Sequence, residues 1–198
     1  MSASRTVTCL LRNDLRLHDD EVFHWAQRNA DHIIPLYCFD PRHYQGTYHF
    51  NFPKTGPFRL RFLLDSVKDL RATLKKRGST MLVRQGKLEE VVSDLIQQLG
   101  SVTAVAFHEE VASEEKSVEK NLKDICCQNK VKVQTFWGST LYHRDDLPFS
   151  HIRGLNIFLL DWKRATSRHL RPWDRQSQWR TADRPSQAVV ERPRLLLG

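Results

Sequence analysis

A chain of 198 residues has room for one ordinary hydrophobic core and little for a second domain of comparable size. Its 40% hydrophobic and 27% charged residues are the proportions of a water-soluble globular protein, and no apolar run approaches the roughly 18 residues of a membrane span. The net charge of +8 raises a nucleic-acid reading, which depends on where along the chain the charge sits.

Thr6 to Leu11 and His32 to Phe39 are short runs rich in β-branched and aromatic residues, the pattern of strands buried on both faces of a parallel sheet. The first run starts so early that no presequence is expected ahead of it, which makes cytosol or nucleus the expected location. Between the two runs, Glu21 to Asn29 reads as a helix, with Asp19 and Asp20 placed to cap its free N–H groups.

Pro57 to Arg77 is the clearest helix. Thr55 is the expected N-cap, Pro57 lies in the first turn, Leu60, Leu63, Leu64, Val67, Leu70 and Leu74 form one apolar stripe, and Gly78 ends it. A strand at Thr80 to Val83, a helix at Leu88 to Leu99, a strand at Val102 to Phe107, a helix from about Ser113 to Cys127 and a strand at Val131 to Phe136 complete the series. Strands alternating with crossover helices imply an α/β fold, a doubly wound, five-stranded parallel sheet of Rossmann-like type. In such sheets ligands bind beyond the carboxyl ends of the strands, so the loops to inspect begin at Arg12, Asp40, Gln85, His108 and Trp137.

Those loops lack several familiar signatures. The loop from Arg12 to Asp20 has no glycine with which to approach a pyrophosphate, and no G-x-x-x-x-G-K-[ST] run occurs. No G-x-S-x-G elbow is present, no two histidines stand at the i, i+4 spacing of metal ligands, and Cys9, Cys38, Cys126 and Cys127 follow no zinc or disulfide pattern. The cysteines are expected to be reduced structural thiols. His108 and His143 read as loop histidines bonded to backbone or water. The charged residues suggest ion-pair forks instead, Asp14 between Arg12 and Arg16, and Asp40 with Arg42, which either brace the loops or hold a ligand. Glu109, Glu110, Glu114 and Glu115 crowd the exit of the fourth strand, where solvated helix-start acids are the simpler reading.

The motifs R-N-D-L-R-L-H-D-D (Arg12 to Asp20), Y-C-F-D-P-R (Tyr37 to Arg42), N-F-P-K-T-G-P (Asn51 to Pro57) and S-T-L-Y-H-R-D-D-L-P-F (Ser139 to Phe149) occur in order along the chain. Together they resemble the amino-terminal domain of the photolyase and cryptochrome family, specifically its DASH-type cryptochromes, over residues 6 to 155. Two departures are mild. Asp20 stands where the family usually has Asn, and Leu88 where a Pro commonly follows the lysine. The resemblance implies an antenna domain that holds a light-harvesting chromophore, often methenyltetrahydrofolate. A following helical domain would hold FAD and receive damaged DNA. Full-length DASH members are similar to single-strand DNA photolyases or act as blue-light receptors. By this likeness Glu110 would accept hydrogen bonds from the pterin ring, and Arg12, Phe39, Asp40 and Arg42 would line the same end.

Residues 1 to 155 carry 22 Lys and Arg against 19 Asp and Glu, whereas residues 156 to 198 carry 9 against 4, and the usage shifts from 10 Lys and 12 Arg to 1 Lys and 8 Arg. The resemblance stops at the same seam. The expectation is therefore an antenna domain over 1–155 and a basic, disordered, non-homologous tail over 156–198, in a chain that alone neither binds FAD nor repairs DNA. Unrelated sequence from an alternative exon or retained intron, a nucleic-acid-binding arm and a docking helix are the readings of the tail. The alternative for the whole chain is a non-catalytic binding module for folate, a partner protein or nucleic acid.

Overall fold

The computed structural model describes residues 4–47, 50–138 and 140. In chain order the elements are β1 (Thr6–Leu11), α1 (Glu21–Asn29), β2 (His32–Phe39), a 3-10 turn (Pro41–His43) and α2 (Pro57–Lys76). They continue with β3 (Leu82–Gln85), α3 (Leu88–Leu99), β4 (Val102–His108), α4 (Ser113–Gln128) and β5 (Lys132–Phe136). The five strands form one all-parallel sheet in the order β3-β2-β1-β4-β5, as the alternation of patterns implied.

Side-chain alternation divides the core into two layers. Val7, Cys9 and Leu11 of β1, with Tyr37, Ala104 and Ala106, meet Val22, Phe23 and Ala26 of α1 and Val67, Leu70 and Leu74 of α2. On the opposite face Leu10, Leu36, Cys38, Val105 and Phe107 meet Leu88, Val92, Leu95 and Ile96 of α3 and Leu122 and Cys126 of α4. Two helices on each face make the sheet doubly wound. Each fully buried Leu, Val or Phe contributes about 1.5–3 kcal/mol of transfer free energy, which makes these two layers the main source of stability.

Asp20 is the N-cap of α1, and its carboxylate accepts the Phe23 N–H at 2.9 Å. Thr55 does not cap α2. Gly56 occupies that position without a side-chain bond, because the Thr55 hydroxyl donates to the His43 carbonyl at 2.8 Å and ties the preceding loop together. The third strand lies two residues later than Thr80 to Val83, since its ladder with β2 runs from Leu36 opposite Leu82 to Phe39 opposite Gln85. Gly86 follows it at a φ of 144°, a conformation that favours glycine, and its N–H donates to the Phe39 carbonyl.

The four cysteines are free, Cys127 exposed and the other three buried. Burial pushes the Cys38 thiol up to about 12 and the Cys126 thiol to about 11, so both stay protonated at neutral pH. Among the described residues no helix is long and apolar enough to cross a membrane. A second unit begins at Trp137, whose indole N–H donates to the Thr140 hydroxyl at 2.7 Å. The expected seam at Leu155, the tail and His143 lie outside the described residues.

Candidate functional site

β1 has β2 on one side and β4 on the other, so chain direction across the sheet reverses at β1 and β4. The loops leaving these two strands lie at the position where doubly wound sheets bind ligands. Buried polar side chains from both loops and from two helices meet at this edge.

Arg12 leaves β1 toward α4, and its Nη1 donates to Glu119 Oε1 at 2.6 Å, with both side chains nearly buried. The same carboxylate oxygen accepts the Glu110 N–H at 2.8 Å, which fixes the chain as it leaves β4. The side chain of Glu110 in turn accepts a bond from Asn13 Nδ2 at 2.9 Å. Glu119 thus joins Arg12 at the exit of β1 to Glu110 at the exit of β4. The sequence held a trace of this residue, since Glu119 stands three and seven positions before Leu122 and Cys126 on the buried side of α4, where a carboxylate needs a partner.

Asp14 is not the centre of an arginine fork. Its Oδ2 pairs with Nδ1 of His108, the last residue of β4, while its Oδ1 accepts the Arg12 N–H at 3.0 Å. His108 is therefore the partner of a carboxylate and not a loop histidine bonded to backbone or water. Arg16 turns back on its own loop and donates to the His18 carbonyl at 3.2 Å. Burial opposes ionisation of Asp14, but the bonds from His108 and from the Arg12 N–H outweigh it and hold the carboxyl below its ordinary range. Burial likewise lowers the affinity of His108 for its proton, and the Asp14 bond reverses the sign, so the imidazole titrates above its ordinary value.

A second ion-pair group stands at the end of β2. Asp40 is buried and accepts bonds from the N–H of Arg42 at 3.0 Å and from its Nε at 2.9 Å. Arg42 also forks onto Glu89 of α3, at 3.0 and 2.6 Å. The other oxygen of Asp40 accepts the Leu88 N–H at 3.2 Å and so caps α3, whose own N-cap residue, Lys87, makes no side-chain cap. Burial raises the Asp40 and Glu89 carboxyls, the Arg42 guanidinium lowers them more, and both remain ionised below their ordinary range.

Of the five residues singled out in the sequence, Arg12 and Glu110 come together through Glu119, and Asp40 and Arg42 bond directly. Phe39 is at the same carboxyl edge but faces the α1 and α2 layer, edge-on to Tyr37 with ring centroids 4.9 Å apart. The charged residues on either side of it in sequence point the other way, toward α3 and α4.

A family model described as DNA photolyase matches residues 7–179. The chain belongs to the DNA photolyase family. The matched span continues past Leu155. Among its relatives, the cryptochrome DASH of Danio rerio is 83% identical over 165 residues, which cover 83% of this chain and 32% of that protein. The cryptochrome DASH of Xenopus laevis is 64% identical over 162 residues, covering 82% and 31%. The crystal structure of a cryptochrome from Synechocystis superposes with a TM-score of 0.72 at 37% identity, over 83% of this chain and 34% of that one. The chain thus spans about a third of the length of the relatives it matches, and the photolyase sheet described above lies within that third.

Proposed function

We propose that this chain is the antenna domain of a DASH-type cryptochrome and that it holds methenyltetrahydrofolate at the carboxyl edge of its sheet. The observation that carries this reading is the placement of Glu110 at the exit of β4, its carboxylate steadied by Asn13 and its backbone N–H by Glu119. A carboxylate is the natural acceptor for the N–H edge of a pterin, while its ring needs an apolar or planar wall. Arg12, Asp40 and Arg42 would set the charge of the surrounding edge, and Phe39 would supply aromatic surface. In the whole protein, FAD in a helical domain would receive the absorbed energy and DNA would be the target of repair or signalling. The 198-residue chain would take up folate without FAD.

Titration of the purified chain with methenyltetrahydrofolate, read as quenching and red shift of folate absorbance, tests the site. Binding that Glu110→Gln weakens supports it, and equal binding by the two proteins opposes it. A red shift is expected because the pterin leaves water for a less polar, charged cleft. Weak binding is expected because a cleft shared with a second domain offers only part of its contacts here.

A further inference from the structure

At the same carboxyl edge of the sheet, the loop after β1, the N-terminus of α1 and the end of β4 bring together Asp14, Asp20 and His108. One donor atom from each lies within 4.8 Å of the others. Asp14 and His108 are mostly covered, and Asp20 is only 6% exposed. One oxygen of Asp20 is used in capping α1 through the Phe23 N–H. The other, Oδ2, is buried and has no hydrogen-bond partner among the described residues. An ionised carboxylate oxygen left dry and unpaired beside a second carboxylate is costly, and a positive charge placed between them would remove the cost.

We propose that Asp14, Asp20 and His108 form a binding site for one divalent transition cation of the Zn2+ type. Two carboxylate oxygens and one imidazole nitrogen are a mixed donor set that suits Zn2+, Mn2+, Fe2+ or Co2+ better than Mg2+ or Ca2+, which prefer oxygen alone. A cation about 2.0–2.2 Å from each donor needs donors roughly 3–4.4 Å apart, so Asp20 must draw in by a few tenths of an ångström while the hydrogen-bonded Asp14 and His108 part to admit the ion. Binding at Nδ1 displaces the proton that His108 shares with Asp14, and that proton passes to solvent. The site then holds two negative carboxylates, a neutral imidazole and a doubly charged cation, with no net charge left buried.

Zn2+ calorimetry on the full chain carrying Cys127→Ser, which removes the exposed thiol, tests the proposal. Asp20→Asn is the informative variant, because Asn caps a helix as well as Asp and the fold should persist. One Zn2+ is expected per chain, with proton release, and Asp20→Asn and His108→Gln should each weaken it by at least about tenfold. Co2+ absorption in the visible should report the same site and disappear in the variants. Absence of uptake by the parent, or uptake unchanged by Asp20→Asn in a protein of normal circular dichroism, would overturn it.

Discussion

Arg12 Nη1 meets Glu119 Oε1 at 2.6 Å across 107 residues of sequence, and it does so where both side chains are almost out of water. The pair joins β1 to α4 and, through the Glu110 N–H on the same oxygen, holds the exit of β4 in place. Its Coulomb attraction offsets the desolvation of both ions only while both are present. Glu119→Ala leaves Arg12 buried and unpaired and should cost about 3 kcal/mol in urea unfolding, whereas the paired replacement Arg12→Met with Glu119→Leu should cost much less. A single-variant loss under about 0.5 kcal/mol would show that the guanidinium finds water or another acceptor.

The carboxylate of Asp40 both neutralises Arg42 and caps α3. Asp40→Asn keeps an acceptor for the Leu88 N–H and loses the charge, while Asp40→Ala loses both functions. Ala should therefore be the more destabilising, by about 1 kcal/mol beyond Asn, the usual value of a helix cap. Hydrogen exchange at the first turn of α3 should rise in the Ala variant ahead of exchange in β1 and β4.

Acid stability follows from the same cluster. The Asp40 and Glu89 carboxyls titrate lower in the fold than in the unfolded chain, so the stability they contribute is fully present above the unfolded values near 4. It is lost as pH falls through the folded values, when protonation removes the partners of Arg42. Unfolding free energy of the parent should therefore fall as pH drops below about 4, and Arg42→Gln should show a shallower decline in that range. Parallel curves for the two proteins would place the acid-sensitive groups elsewhere.

At Asp20 the cap and the charge are separable. Burial, and Asp14 nearby, raise its carboxyl, while the Phe23 N–H bond opposes them. Asp20→Ala should cost about 0.5–2 kcal/mol through loss of the cap. Asp20→Asn keeps the cap and removes the buried charge, so without added metal it should equal or exceed the parent in melting temperature at pH 7 and lose that advantage in acid.

The sequence revealed the scaffold because the scaffold is built from local signals. The β-branched and aromatic runs that mark β1 and β2 are buried along all of β1 and across the middle of β2, and their bounds match the observed strands residue for residue. β3 lies later than its apolar pattern indicates because its last residues, Arg84 and Gln85, are exposed at the sheet edge and carry no apolar signature. The site was less legible. Asp14 has arginines two positions away on either side, yet its partner is His108, 94 positions on, because β1 and β4 are neighbours in the sheet. Thr55 looked like a cap and serves a loop, since Ser and Thr hydroxyls take whichever carbonyl or N–H the chain path offers. Residue type and spacing indicate which groups are present at a strand exit, and the order of strands decides which of them meet.

Titration of the chain with methenyltetrahydrofolate, in parallel with its Glu110→Gln variant, is the most direct measurement of the antenna reading. The parent should bind weakly and shift the folate absorbance to the red, Glu110→Gln should bind at least about fivefold more weakly, and neither protein should carry FAD as purified. Folate binding that is the same with and without the Glu110 carboxylate would show that this edge is not the antenna site.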